Sequence, residues 1–331
     1  MHKNTKSIKS PIIFCHYGNT FYLKYTLKSA RINNPDKRII LLGDNTNRII
    51  AKNIGVEHYL FKSFKYGSEL EKFNSVYRLI QGNKHNNIRA GNDWVNFVFK
   101  RWFYVYNFVL AEGFNSFWHF DSDTMILDNL ERFEAILSEY DCTEQCNGSC
   151  LNGYISNIST VFGYITKIND IFERKEYLNS VQEEFSRNNQ GFAFTEMRAY
   201  EIFKTEANIK AFHLNKIIDN TNFDDCICQE HGMVMDTLPF DNKKIKKVYL
   251  NPDGRFFCKY QKKLIKMNSL NLSTMPRYIF SSVLNHSLKK KEGFTLIPKE
   301  IEMLTLASQK MPLLFKMKTL FSNIKSKVVK Q

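Results

Sequence analysis

Glycine and proline are sparse in this 331-residue chain, at 14 and 7 residues, which excludes a collagen-like or low-complexity polymer. Cysteine is also scarce. The seven Cys are odd in number and form no CxxC pair, and Cys142, Cys146 and Cys150 have neither zinc-site spacing nor nearby histidines. Reduced thiols are therefore expected. Long apolar runs are missing too: Trp94 to Leu110 is broken by Asn96, Lys100, Arg101 and Asn107, so no segment reads as a membrane span. The apolar run before His16 is five residues long, too short for a secretory signal core, and a cytoplasmic protein is expected.

What is present is a packed globule's composition with a basic balance. Hydrophobic residues make up 43% of the chain, enough for a large core without disulfides. Lys plus Arg exceed Asp plus Glu by 47 to 33, a net charge of +14 that favours anionic partners such as nucleic acid, an anionic membrane or phosphorylated substrates. Much of the excess follows Lys243.

The first half of the chain alternates strand and helix signals. Ile12-Ile13-Phe14-Cys15 is a short continuous apolar run, the mark of a strand covered on both faces, followed by the polar loop His16-Tyr17-Gly18-Asn19. Asn19 can cap a helix carrying Tyr22, Leu23, Thr26, Leu27 and Ala30 on one face, stopped by Asn33-Asn34-Pro35. Arg38 to Leu42 is the next strand, ending at Gly43-Asp44, so the pieces form a βαβ unit. Val56 to Leu60 reads as a third strand, and Gln81 to Asn92 as a mobile loop. Helical spacing runs from Asp93 to Leu110 and stops at Gly113. Phe117 to Phe120 is a buried strand, and Asp128 with Glu131 has capping-box spacing for the helix after it. Beyond Tyr140, strands are expected within Leu151 to Phe162, a turn at Asn152-Gly153, and helices over Ile168 to Phe185 and Glu196 to Lys204.

The strand before Asp121-Ser122-Asp123 delivers two carboxylates one residue apart. Like charges about 4 Å apart repel by about 4 kcal/mol at an effective dielectric of about 20, so a positive group must share that space or one acid must be protonated. A divalent cation meets the need, because Mg²⁺ or Mn²⁺ takes one or two carboxylates and leaves its other positions to phosphate oxygens. Gly18, Asp44 and Asp123 all follow strand ends, where open α/β sheets bind ligands. The plainer reading, two aspartates capping a turn, stands beside this one.

The first strand with its polar loop, the LLGD strand and the HFDSDTMIL segment resemble the GT-A glycosyltransferases, most nearly bacterial enzymes of surface-polysaccharide synthesis. The resemblance covers about Ile12 to Leu137. It implies a Rossmann-like, mixed but mostly parallel sheet flanked by helices, a UDP-linked nucleotide-sugar donor, and a Mn²⁺ or Mg²⁺ cofactor. It implies that Asp123 ligates the metal and that Asp121 meets the donor ribose or the metal through water. Cys15, His16, Tyr17 and Gly18 would line the base, Asp44 would meet base or ribose, and Ser122 joins the donor site. Arg101 has two roles open: pairing with the motif or a phosphate, or covering apolar surface with its stem. A late histidine ligand common in such enzymes is replaced by Asn in Asn268-Ser269-Leu270-Asn271-Leu272, so Asn271, His286 or simply water and diphosphate complete the metal shell.

For the base that takes the acceptor proton, Glu196 in Phe194-Thr195-Glu196-Met197 comes first, against its role as a favourable charge at a helix start. Asp224 and Asp225 come second. After Pro312, Leu313, Leu314, Met317, Leu320, Phe321, Ile324 and Val328 keep helical spacing among lysines, a basic amphipathic helix that either lies on the inner face of an anionic membrane or docks on its own domain. The expected organisation is a catalytic domain over 1–290 and a helical appendage over 291–331. The acceptor would be a glycan or lipid-linked glycan. Two rival readings are a nucleic-acid binder using the basic last third, which leaves the DxD unexplained, and a pseudoenzyme that keeps the fold.

Overall fold

A computed structural model describes residues 9–84, 92–239, 242–289 and 304–308. From the start the chain runs β1 (Ile12–Cys15), α1 (Leu23–Asn33), β2 (Ile39–Gly43), α2 (Arg48–Ile54), β3 (Glu57–Leu60), α3 (Ser68–Val76) and α4 (Asn92–Glu112). It continues through β4 (Phe117–Asp121), β5 (Thr124–Ile126), α5 (Glu131–Leu137), β6 (Cys142–Gln145), β7 (Cys150–Ile155), α6 (Ile158–Glu173), α7 (Lys175–Arg187), α8 (Glu196–Glu206) and β8 (Ala211–His213). The last part holds β9 (Thr221–Phe223), β10 (Met235–Thr237), β11 (Lys244–Lys246), β12 (Tyr249–Leu250), β13 (Phe256–Tyr260), β14 (Lys263–Asn271), α9 (Arg277–Ser287) and β15 (Leu304–Thr305).

These elements fall into two compact units. The first gathers Met1–Asn19, Asn34–Ser122 and Asn129–Leu214; the second gathers Thr20–Asn33, Asp123–Asp128 and Asn215–Gln331. The first unit is built on a sheet in the order β3-β2-β1-β4-β7-β6-β8. Pairings β3-β2, β2-β1, β1-β4 and β6-β8 are parallel, while β4-β7 and β7-β6 are antiparallel. The fold is therefore α/β, with a mixed, mostly parallel sheet flanked by helices. Every residue of β1 and β2 is buried, which is why both read as unbroken apolar runs.

Helix α4 covers this sheet with Phe99, Trp102, Phe103 and Phe108, all nearly inaccessible, and each such side chain contributes about 1.5–3 kcal/mol by leaving water. Asp93 sits in its first turn, and Gly113 with φ 70° terminates it. Helices α6 and α8 pack beside it through Tyr164, Phe172, Tyr200 and Phe203.

The second unit has a sheet in the order β15-β12-β13-β14-β5, with β9 added in parallel to β14, and β10 pairs separately with β11. Its core joins Met125, Leu270, Leu272, Ile279, Phe280 and Val283. Helix α1 belongs here: Ser29 Oγ donates to the Ile126 carbonyl at 2.6 Å, and the Tyr22 and Phe280 rings stack at 5.2 Å.

Several local expectations change. Asn152-Gly153 is no turn but lies inside β7, because Gly153 has φ 93° and a Cβ there would come within 2.2 Å of Thr143 Oγ1. That hydroxyl bridges the irregular pairing of β6 and β7, donating to the Asn152 carbonyl at 2.6 Å and accepting from Tyr154 N at 2.7 Å. The capping box at Asp128 does not form: Leu130 occupies the cap position, Asn129 Oδ1 accepts from Glu131 N at 3.0 Å, and Asp128 instead pairs with Lys266 at 2.5 Å. Ile168 to Phe185 is two helices, divided where Arg174 leaves helical geometry and binds Asp170 and Glu206. The amphipathic helix expected after Pro312, and residues 85–91 of the loop expected before α4, lie outside the described residues.

Candidate functional site

In the first unit, the carboxyl ends of β1, β2 and β4 bring together most of the residues singled out for donor binding. The strand order reverses between β1 and β4: the chain goes from β1 outward through β2 and β3, then returns to place β4 on the other side of β1. Such a reversal opens a crevice at the carboxyl edge of a parallel sheet. The loops that leave β1 and β4 meet there, and His16 Nδ1 lies 2.7 Å from Ser122 Oγ. Burial lowers the His16 pKa to about 4, only partly offset by Asp44, so the ring is neutral at pH 7.

Asp44 fixes the same loop. Its Oδ2 accepts from Gly18 N at 2.6 Å and its Oδ1 from Thr46 N at 2.7 Å. Burial pushes the acid up, but these bonds and the Thr46 hydroxyl outweigh it and hold the carboxyl below its usual range. Asn47, which the sequence reading missed, lies under the loop: its Nδ2 donates to the carbonyls of His16 at 2.9 Å and Gly18 at 3.1 Å, and its Oδ1 lies 2.8 Å from His58 Nε2. Gly43 makes room for that amide, since a Cβ there would sit 2.2 Å from Asn47 Oδ1. The GDNTN run carried the clue, a glycine followed by side chains able to bond backbone. Cys15 is buried and its thiol is pushed up to about 12, so it lines the strand as an inert group. Tyr17 is 69% exposed, with its ring 5.6 Å from that of Phe97.

Arg101 links two of the candidate acids within the first unit. Its Nη1 donates to Asp121 Oδ1 at 2.6 Å and its Nη2 to Glu196 Oε1 at 2.9 Å. The arginine and glutamate side chains are 10% and 8% exposed, and Asp121 is 29% exposed. Burial raises the Asp121 acid, yet Arg101 overrides this and holds it below its normal range. For Glu196 the balance falls the other way: burial dominates over Arg101, the nearby Asp121 charge adds to it, and the carboxyl is raised. Glu196 Oε2 is buried with no hydrogen-bond partner, while its backbone carbonyl accepts from Tyr164 Oη at 2.5 Å. The positive charge that Asp121 needs is thus supplied by the protein itself, and Arg101 is an ion-pair partner rather than a stem lying on apolar surface.

The second unit holds the remaining candidates. Asp123 precedes β5, and its carbonyl accepts from Leu272 N at 3.0 Å; Asn271 pairs with Thr124 in the same ladder. Asn271 Oδ1 accepts from Ser273 N at 3.1 Å, and Asn271 N donates to Asp224 Oδ2 at 2.9 Å. Asp224 is fully buried and ion-paired to Lys246 at 2.5 Å. Lys246 Nζ also lies 3.3 Å from His231 Nδ1, and His231 Nε2 lies 3.5 Å from Asp225 Oδ2. Asp224 and Asp225 are thereby committed to an internal network that braces the end of β14. His286 packs its ring 5.1 Å from Phe256, and Asn271 closes β14.

Among the described residues, no three His, Cys, Asp or Glu side chains form a ready-made metal cage. Asp121 is part-exposed and engages Arg101 through Oδ1, so its carboxylate suits a hard divalent cation that takes its other oxygens from a ligand and water.

No family model and no curated protein matches the chain. Among solved structures, it is similar to apo mouse xyloside xylosyltransferase 1 at 6% identity and a TM-score of 0.41, over 62% of this chain and 85% of that one. The glycosyltransferase GlyE of Streptococcus pneumoniae TIGR4 aligns at 15% identity and a TM-score of 0.31, over 62% of this chain and 45% of that one. The PaToxG glycosyltransferase aligns at 10% identity and a TM-score of 0.32, over 60% and 69%. Likeness at this level assigns no chemistry.

Proposed function

We propose that this chain is a glycosyltransferase that takes a sugar from a nucleotide-sugar donor, UDP-linked, and transfers it to a glycan or lipid-linked acceptor with Mn²⁺ or Mg²⁺, in capsule, lipopolysaccharide or related glycan synthesis. The observation that carries the reading is the placement of the His16 loop, Asp44 and Asp121 at one carboxyl edge of a parallel sheet whose strand order reverses between β1 and β4. The GT-A resemblance over about Ile12 to Leu137 agrees with it. Asp123 and Asp121 would hold the cation, which when bound supplies positive charge to a departing diphosphate. The His16 to Gly18 loop, held by Asp44 and Asn47, would seat the nucleoside, with the Tyr17 ring free to lie against the base.

Glu196 is buried and salt-bridged to Arg101, and Asp224 and Asp225 are buried in the network at the end of β14. No helix among the described residues is long and apolar enough to cross a membrane, and attachment to an anionic membrane through the basic tail is part of the proposal. The test is a screen of nucleotide sugars for slow hydrolysis, which needs no acceptor. Release of nucleoside diphosphate from one donor, dependent on Mn²⁺ or Mg²⁺ and lost in Asp123→Ala, is the expected result. Absence of hydrolysis across donors and metals would favour the non-catalytic reading.

A further inference from the structure

The Arg101 ion pairs create a competition that the functional reading does not require. Asp121 is the carboxylate that closes β4, and its Oδ1 is already held by Arg101 Nη1 at 2.6 Å. The same guanidinium is anchored on its other side by Glu196 at 2.9 Å, in a pocket where both anchoring side chains are at most 10% exposed. Asp121, at 29%, is the member of the trio that faces outward. The trio carries one positive and two negative charges. Glu196 keeps one carboxylate oxygen, Oε2, buried without a partner, so the glutamate is under-satisfied while Arg101 is shared.

From this arrangement we infer that Arg101 is a resident counter-ion which competes with a divalent cation for Asp121, and that Glu196 is the positioning residue that sets how strongly it competes. The inference rests on the metal-dependent reading of the Asp121-Ser122-Asp123 segment. When a cation approaches Asp121, Arg101 has somewhere to go: its freed N–H groups can turn toward Glu196 Oε2 or toward an incoming phosphate oxygen, both good acceptors for a guanidinium. Affinity for the bare ion is therefore held down, and a diphosphate restores it by taking up the displaced donor.

Charge sets the sign of each substitution. Arg101→Met combined with Glu196→Gln removes the competitor without stranding a buried glutamate charge, so Mn²⁺ alone should bind more tightly by at least about tenfold. Glu196→Gln alone leaves Arg101 to pair with Asp121 undivided, so Mn²⁺ should bind more weakly than to the unaltered chain. A merely structural role would move both variants the same way.

The experiment is a Mn²⁺ titration of the full chain read by the electron paramagnetic resonance signal of free Mn²⁺, with and without UDP, on the unaltered protein, both variants and Asp123→Ala. Circular dichroism confirms folding, and Arg101→Lys with Glu196→Gln replaces the double variant if that one fails to fold; its shorter, non-forked cation should also raise Mn²⁺ affinity. Tighter binding in the double variant, weaker binding in Glu196→Gln, and a UDP enhancement that shrinks once Arg101 is gone support the inference. Equal affinities in all three proteins overturn it while leaving the metal-dependent reading intact. No Mn²⁺ binding in any protein, with or without UDP, overturns both.

Discussion

His16 shows how a single side chain ties the loop to the sheet. It is buried, neutral and bonded to Ser122, and its pKa falls to about 4 against an ordinary value of 6.5. Between those values the unfolded chain holds a proton on this ring that the folded chain does not, so stability is complete above pH 6.5 and declines as pH falls toward 4. The contribution amounts to about 1.4 kcal/mol per pH unit for one group. Urea denaturation of the parent and His16→Gln across this range checks it: the variant's stability should depend less steeply on pH by that amount, and equal slopes would refute the assignment. Arg101 sits at the opposite extreme, a buried charge kept by two carboxylates, and residue-level sequence reading placed it only as far as a choice between pairing and packing.

At the level of elements, β7 explains where sequence reading succeeded and failed. Apolar runs such as Ile12 to Cys15 and Phe117 to Phe120 identify themselves, since full burial leaves no polar residue to obscure them. The Asn-Gly pair in β7 carries the strongest short turn signal, yet here the glycine serves close approach of the Thr143 hydroxyl, a demand made by a neighbouring strand and invisible in local sequence. The unread strand β6 has the same cause: Cys142–Gln145 is mostly polar but wholly buried, with Thr143 and Glu144 bonded to partners distant in sequence. Gly153→Ala should therefore cost about 1–3 kcal/mol, from overpacking against Thr143 and a side chain forced to positive φ. Chemical denaturation measures the loss; a change under about 0.5 kcal/mol, the range of ordinary surface substitutions, would show that the bulge adapts.

For the whole molecule, the cluster at the carboxyl ends of β1, β2 and β4 was legible in the sequence, and the pairing of the later acids was not. His16, Gly18, Asp44, Arg101 and Asp121 belong to one unit whose strand-helix alternation is plain in the sequence. The division into two units was hidden because the chain crosses between them repeatedly, lending α1 and β5 to the second unit from the middle of the first. Later acids such as Asp224 look reactive in isolation and prove to be paired, because a lysine twenty-two positions away cannot be matched to its partner before the fold is known.

The net charge of +14 suits a polyphosphate ligand without choosing one, so the decisive measurement is thermal unfolding with UDP and Mn²⁺ together and apart. The account predicts that UDP raises the melting temperature only when Mn²⁺ or Mg²⁺ is present, and that Asp123→Ala abolishes the shift. A UDP shift of the same size without metal, and unchanged in that variant, would contradict it.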